Sequence, residues 1–559
     1  MKKFLLSVIL FFPFTLHAQT ISADTFGANI HLMQRVPQSE WESVLATAKA
    51  HGIMSAREEF SWNTIEPSDD DFEWSIPDAA IDAYTEAGIV VDGLLTYSSV
   101  WAASSEHDVP DLNAWQEYVS AVATRYAGKV EAWEIWNEPN HQNFFTGDSV
   151  DYVYMVQAAR DAIREADPSA KIILGGLAGA DTSFLREVLP HLNSESIDAI
   201  AIHPYRVIGD TFTYQPEEIQ DGLNTLAVDI QNLVAELELH DFEEMPIWFT
   251  EFGYPTHDDG LTQKEQAQYL ARAYVIALSS AHVQKIFWYS MIDAGTDASD
   301  QENNFGLFNA DYIPKTAAAL HLFLTERLVD TKVKGIDLTQ TTELAAPEHL
   351  SWNVNGAVCT SANVTIATHV KLSYAFTGDD NCYVPLQASL ALPSNTQTLF
   401  MELRGSSDDT ILRVRVVDST GETFQYSLAR MPHETEWYRV DFGSISTHWG
   451  GDDDGVVDQP LKLDSLVLDD NDGAHESGTM VLKTLRSSTS PATYIYRLSK
   501  NGKPRVAFWT TATKYDGSYT FTQLRNIARR RFEKARRMFE NVTTVSSRVT
   551  HMPGFLQVR

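Results

Sequence analysis

Val130-Glu131-Ala132-Trp133-Glu134-Ile135-Trp136-Asn137-Glu138-Pro139-Asn140 begins as a buried strand and ends in an abrupt Asn-Glu-Pro-Asn turn, so a carboxylate, that of Glu138, stands where the strand stops. A second stretch has the same grammar. Pro246-Ile247-Trp248-Phe249-Thr250-Glu251-Phe252-Gly253-Tyr254 is an apolar run, then Glu251, then a turn. Working outward from these two stretches, strands and helices alternate. Thr25 to Leu32 and Met54 to Trp62 read as strands, and Ile89 to Tyr97 has the unbroken apolar run of a parallel strand buried on both faces. The spacing of Trp115, Tyr118, Val119, Val122 and Tyr126 predicts a helix closed by Gly128, and Gly88 closes an earlier helix from about Pro77.

After Glu138 the alternation continues. Asp151 to Ala166 is helical, Lys171 to Gly175 a strand, Thr182 to Leu192 a helix, and Ala199 to His203 a strand ending in His203-Pro204-Tyr205-Arg206. Gly222 to Leu239 and Thr262 to Ser280 are amphipathic helices flanking the Glu251 strand, and Lys285 to Met291 with Pro314 to Leu328 completes the series. Eight strand-helix units are what a closed parallel barrel needs, and such a barrel gathers its functional residues at the carboxyl ends of the strands. An open doubly wound sheet would want a Gly-rich phosphate turn after an early strand, and the sequence has none.

From Leu344 to about Ser488 short alternating runs divided by Gly, Asp and Ser turns replace the helical periods, the pattern of an antiparallel sandwich. The expected fold is therefore α/β: a (β/α)8 TIM barrel over 19–330 with a C-terminal all-β, jelly-roll-like sandwich over 346–487. Segments 331–345 and 488–513 would supply small accessory strands, the latter as a hairpin turning at Lys500-Asn501-Gly502-Lys503. The sandwich reads equally as a carbohydrate-binding module or as a structural one. The runs Gly451-Asp452-Asp453-Asp454-Gly455 and Asp469-Asp470-Asn471-Asp472-Gly473 carry the oxygen ligands calcium prefers, but neither has the helix-loop-helix spacing, and turn composition also accounts for both. The tail, 514–559, crowds Arg529, Arg530, Arg531, Lys534, Arg536 and Arg537 into one segment, helical or disordered, for which the sequence offers no mechanism.

Residues 1–18 read as a signal peptide: Lys2 and Lys3, an apolar run from Phe4 to Leu16, then Leu16-His17-Ala18 before Gln19. The protein is expected to be secreted or periplasmic, with no spanning membrane segment. In that oxidising setting the two cysteines, Cys359 and Cys382, are expected to pair, two free buried thiols being the alternative. A net charge of −34 argues against a nucleic-acid partner.

Two carboxylates ending two strands are the equipment for cleaving a glycosidic bond, one as acid/base and one as nucleophile. Asn137-Glu138-Pro139 ending a fourth strand with Glu251 ending a seventh resembles the clan A glycoside hydrolases, retaining enzymes on (β/α) barrels, over residues 25 to 330. The Arg57 strand end and His203-Pro204-Tyr205 are most similar to family 39 and its relatives, with family 5 as the alternative. The resemblance implies that Glu138 is the general acid/base and Glu251 the nucleophile, their carboxyl groups roughly 5–5.5 Å apart. It implies further that Asn137 bonds the hydroxyl next to the anomeric carbon and that Arg57 and Tyr205 orient and acidify Glu251. His203 would contact substrate or support the acid/base, and Trp288 would floor the sugar site. His31 and Trp101, with Trp62 and Tyr97, fall at strand ends or in the loops after them and are further substrate-binding candidates. Glu134 is the residue most easily mistaken for the acid, and the Asn-Glu-Pro context selects Glu138 over it. No metal or cofactor is expected at the site. The readings are a retaining glycosidase acting on a polysaccharide or oligosaccharide and a non-catalytic carbohydrate-binding protein; the presence of both carboxylates favours the enzyme.

Overall fold

The computed structural model describes residues 20–208, 212–218, 225–336, 341–377, 382–406, 410–430, 435–442, 447–470, 477–489, 493–510 and 554–557. The signal-like segment 1–18, the basic run Arg529 to Arg537 and Asn471-Asp472-Gly473 lie outside the described residues.

Eight parallel strands close into a barrel: β1 (Phe26–Asn29), β2 (Ser55–Ser61), β3 (Val90–Thr96), β4 (Ala132–Asn137), β5 (Lys171–Ala178), β6 (Ala199–His203), β7 (Ile247–Phe252) and β8 (Val283–Trp288). Closure is between β1 and β8, where Ala28 lies opposite Trp288. The helices that connect the strands turn their apolar stripes onto the outside of the barrel. In α1 (Leu112–Arg125), Trp115, Tyr118, Val119 and Val122 are buried, and the Asp111 carboxylate caps the first turn by accepting from the amides of Asn113 and Ala114. A cap of this kind contributes about 1 kcal/mol, and burying each large apolar side chain roughly 1.5–3 kcal/mol. Gly88 ends its helix at φ 67°, a left-handed position that glycine occupies without strain.

Inside the barrel, strand alternation decides which residues meet. Ala132, Ile173, Ala199, Ala201, Trp248 and Phe287 form a separate apolar cluster. On the side of the strand starts, Lys285 and Lys171 sit 4.6 Å and 5.4 Å from the Trp248 ring centre and share the Glu131 carboxylate. Further along the strands the interior becomes charged, with Arg57 and Glu134 both buried. Segments read as strands from apolar content alone are shorter at their ends than expected: the first stops at Asn29, and Leu32–Arg35 is a helical turn.

The later residues form antiparallel sheets, one of six strands and one of five, around a second apolar core. Val228, from the helix Leu226–Leu239 on the barrel, packs into that core. Thr331–Ile336 pairs with Thr493–Lys500, which pairs with Lys503–Thr510. Cys359 and Cys382 form the expected disulfide, with Cα atoms 5.2 Å apart and a sequence separation of 23. A loop of this length predicts that Cys359→Ala lowers the stability of the sandwich by about 3 kcal/mol. Urea unfolding followed by tryptophan fluorescence reads this directly, and an unchanged midpoint would show that the bond carries none of the stability. Among the described residues no helix is long and apolar enough to cross a membrane.

Candidate active site

A cavity of about 640 Å³ opens at the carboxyl ends of the strands, lined among others by His31, Arg57, Asn137, Glu138, Tyr205 and Glu251. Its organising group is Arg57, 3% exposed and fixed by β2 in the barrel interior. The guanidinium donates through Nε and Nη2 to Glu134 (2.8 and 3.1 Å), through Nη2 to Asn137 Oδ1 (2.9 Å), and through Nη1 to Asn29 Oδ1 (3.2 Å) and Glu251 Oε1 (2.5 Å). Burial alone would lower its pKa, but Glu134 and then Glu251 more than reverse that, so the cation is held firmly.

Glu134 points inward and is consumed by structure. Besides Arg57 it accepts from the Gly176 amide (2.8 Å) and the Thr250 hydroxyl (3.1 Å). Gly176 leaves the room this requires, since a Cβ there would fall 2.1 Å from His203 Nε2 and 2.8 Å from Glu134 Oε1. Asp92, also buried in the interior, has its pKa raised well above the usual carboxyl value by burial and by the neighbouring Glu134.

The two strand-end glutamates sit in contrasting surroundings. Glu251 Oε1 takes the Arg57 bond and Oε2 accepts from the Tyr205 hydroxyl at 2.8 Å. Burial raises the Glu251 pKa, but the neighbouring His203 and Arg57 and the Tyr205 hydroxyl outweigh burial and leave it below the ordinary value. Glu138 stands in left-handed backbone at φ 45°, two residues after Trp136 at φ 69°, a local strain of the sort that turns a side chain out of a strand into a site. Its Oε1 lies 2.9 Å from His203 Nδ1. On the other side of the ring, His203 Nε2 lies 3.1 Å from Thr250 Oγ1. The single Thr250 hydroxyl proton is directed to Glu134, so Nε2 must be the donor to Thr250. A neutral His203 then offers Nδ1 as an acceptor, and the bond to Glu138 requires the carboxyl to carry a proton; with Glu138 ionised, the imidazole must carry it instead.

Of the residues singled out from sequence, Arg57, Asn137, Glu138, Tyr205, Glu251, His31 and Tyr97 share the cavity, Tyr97 accepting from the Asn137 amide nitrogen at 3.3 Å, and His203 lies behind it, buried against Glu138. His31 is neutral at physiological pH, its pKa pushed down to about 3 by burial and by Arg35. Two tryptophans belong elsewhere. Trp288 is fully buried, donates to the Phe305 carbonyl at 3.1 Å and packs against Phe252, Tyr254 and Tyr274, so it does not floor the cavity. Trp101 meets Trp62 edge-on at 5.7 Å and donates to the Glu66 carbonyl, because the loop after β3 folds back over the short helix Trp62–Ile65. Trp62 is likewise core.

The aromatic wall is instead Tyr289, one residue beyond Trp288, edge-on to His31, Tyr205 and Phe305. Its hydroxyl lies between Arg35 (3.4 Å) and Glu302 (3.3 Å). Glu59, from β2, also lines the cavity with its pKa raised, chiefly by burial. Sequence reading passed over Tyr289, Glu302 and Glu59. For Tyr289 the signal was present: it is the neighbour of a strand-end tryptophan and has the opposite pleat direction.

A closed (β/α) barrel presenting two strand-end glutamates, an arginine and an asparagine to one cavity has the side-chain equipment that cleavage of a glycosidic bond requires. A family model described as glycosyl hydrolases family 39 matches residues 78–374. That is more than half of the 559 residues, and the chain belongs to this family. A model described as beta-galactosidase matches the shorter stretch 32–99. Curated relatives include endo-1,4-beta-xylanase A of Phanerodontia chrysosporium, 24% identical over 215 residues, which are 36% of this chain and 52% of that protein. Another is endo-1,4-beta-xylanase 1 of Gibberella zeae, 23% identical over 42% of this chain and 68% of that one. The chain spans about half the length of the first of these curated relatives. Among solved structures, a family 39 glycoside hydrolase from Bacteroides cellulosilyticus WH2 aligns at TM-score 0.47 and 17% identity, over 83% of this chain and 81% of that one. A monomeric beta-xylosidase from Caulobacter crescentus CB15 aligns at TM-score 0.45 and 16% identity, over 83% and 97%.

Proposed function

We propose that the protein is an exported retaining glycosidase acting on xylose-containing glycans, with Glu251 as nucleophile and Glu138 as acid/base. The observation that carries the mechanism is the shared imidazole: His203 Nδ1 lies 2.9 Å from Glu138 Oε1 and 3.8 Å from Glu251 Oε2. Laid end to end, these legs reach only the bottom of the roughly 6.5–9.5 Å range of inverting pairs and admit the roughly 5–5.5 Å of retaining ones. In the first step a Glu251 oxygen attacks the anomeric carbon, the bond to the leaving oxygen breaks, and the Glu138 proton passes to that oxygen. In the second, Glu138 takes a proton from water, the water oxygen bonds the anomeric carbon, and the ester to Glu251 is released. Asn137, its Oδ1 held by Arg57, presents its amide nitrogen to the sugar hydroxyl beside the reacting carbon.

The sugar is argued from the relatives named as xylanases, and export from residues 1–18 together with the disulfide. The test is incubation with 2-fluoro glycosides of xylose, glucose and galactose, followed by peptide mass analysis. The expected result is xylosyl label on Glu251. Label on another residue removes the assignment, and label only from another sugar removes the substrate while leaving the mechanism.

Tyr289→Ala is expected to lower kcat/KM on xylosides roughly tenfold, the equivalent of about 1.4 kcal/mol, by removing the wall against the bound sugar. Trp288→Phe should lower the melting midpoint, through lost core volume and the lost indole bond to the Phe305 carbonyl, and leave kcat/KM within about twofold, because the ring does not line the cavity. If the two variants exchange these effects, Trp288 is the substrate contact after all.

A further inference from the structure

We propose that the sandwich holds a calcium ion on Glu422, Asp452 and Asp454. Glu422 opens the strand Glu422–Arg430 and is fully buried. Its Oε1 is satisfied by His448 Nδ1 at 2.6 Å and by the Gly455 amide at 3.2 Å. Its Oε2 is buried and has no hydrogen-bond partner. One oxygen from each of Glu422, Asp452 and Asp454 lies within 4.8 Å of the other two.

A buried carboxylate with one oxygen lacking a donor, grouped with two further carboxylates, is unfavourable twice over: it is desolvated, and it is repelled. A divalent cation between the three removes both penalties. The ligands are hard oxygens, one on a rigid strand and two on an exposed turn that can adjust, which suits the variable coordination of six to eight oxygens taken by calcium better than the strict octahedron of magnesium. His448 Nδ1 lies against Glu422 Oε1 at 2.6 Å and, with Asp453, forms a second possible ligand group on the same glutamate; the set of Glu422, Asp452 and Asp454 is the one made of oxygens alone. The turn is held over the strand end, Thr420 Oγ1 donating to Asp452 Oδ1 at 3.0 Å. A comparable acidic group, Glu66 with Asp69 and Asp70, lacks this feature, since both Glu66 oxygens have donors in Trp62 Nε1 and the Asp70 amide.

The full-length protein, stripped with a chelator, is titrated with calcium by calorimetry and with terbium by luminescence; Trp449, 41% exposed on the strand leading to the turn, is the sensitising ring. The expected result is one saturable calcium site that quenches the terbium signal and raises the melting midpoint. Asp452→Asn with Asp454→Asn changes only exposed groups, keeps the fold, and should weaken calcium binding about tenfold or more, since affinity follows ligand charge. Glu422→Gln should do the same if it folds. No saturable binding at millimolar calcium, or equal affinity in the Asp452→Asn, Asp454→Asn protein, overturns the proposal. Glycosidase activity is not a readout, so the outcome is independent of the proposed function.

Discussion

Glu251→Ala should leave a folded protein whose kcat on xylosides is reduced roughly 10⁵-fold, a rise of about 7 kcal/mol in the barrier. The loss is large because the carboxylate nearest to Arg57 besides Glu251, that of Glu134, is committed to Arg57, Gly176 and Thr250 and does not take its place. The fold should survive, since Arg57 keeps both bonds to Glu134 and its bonds to Asn29 and Asn137. Sodium azide or formate, small enough to enter the vacated space, should restore part of the turnover with the opposite anomeric configuration, seen by proton NMR of the product. A Glu251→Ala protein with ordinary turnover and unchanged stereochemistry would exclude it as nucleophile.

As the proposed nucleophile, the same carboxyl should set the acid side of the pH profile. Its pKa lies below the ordinary 4.5, burial being outweighed by His203, Arg57 and Tyr205. A nucleophile reacts in its ionised form, so on the proposed assignment kcat/KM should hold as pH falls through 4.5 and decline only below it. Stability follows the same sign: the contribution from Glu251 is complete above the unfolded-state value and is lost as pH drops through the lower folded-state one.

Glu138→Ala carries the second large effect, and its size should depend on the leaving group. With an alkyl or sugar leaving group the proton is indispensable, and kcat/KM should fall by about 10³ to 10⁴. With a dinitrophenyl leaving group it is not, so the first step should proceed near its normal rate while the second, lacking its base, becomes limiting and the glycosyl-enzyme accumulates. A burst of dinitrophenolate followed by slow turnover is the expected trace. A uniform loss across all leaving groups would assign Glu138 to binding alone.

Glu138 and Glu251 were legible because each follows an apolar run long enough to count as a strand and stands just before a turn, which places it by chain position alone. The strand count supplied the barrel, and the barrel supplied the face on which both emerge. Glu134 was harder: alternation says that it faces away from Trp133, but inside and outside are assigned only when the barrel closes and Arg57 arrives from β2. At the end of β8 ordinary alternation sends Trp288 into the core and Tyr289 to the cavity, and which of the two faces is the interior is assigned only when the barrel closes. Trp101 depended on how a loop folds back, which periodicity does not encode. The acidic run Asp452 to Asp454 was visible, but its buried partner Glu422 comes from an earlier strand, and only the pairing of Glu422 with Gly450 brings them together.

The pairing of Thr331–Ile336 with Thr493–Lys500 also bears on how the molecule moves. The chain leaves the barrel and returns to it along adjacent antiparallel strands, so the sandwich hangs from two ladder-bonded straps rather than from one peptide linker. A single tether leaves free swivel about its axis; two side-by-side tethers remove it. With Val228 of the barrel inserted into the sandwich core, the orientation of the sandwich toward the cavity is set by hydrogen-bond register and packing, and lengthening a connector would not release it.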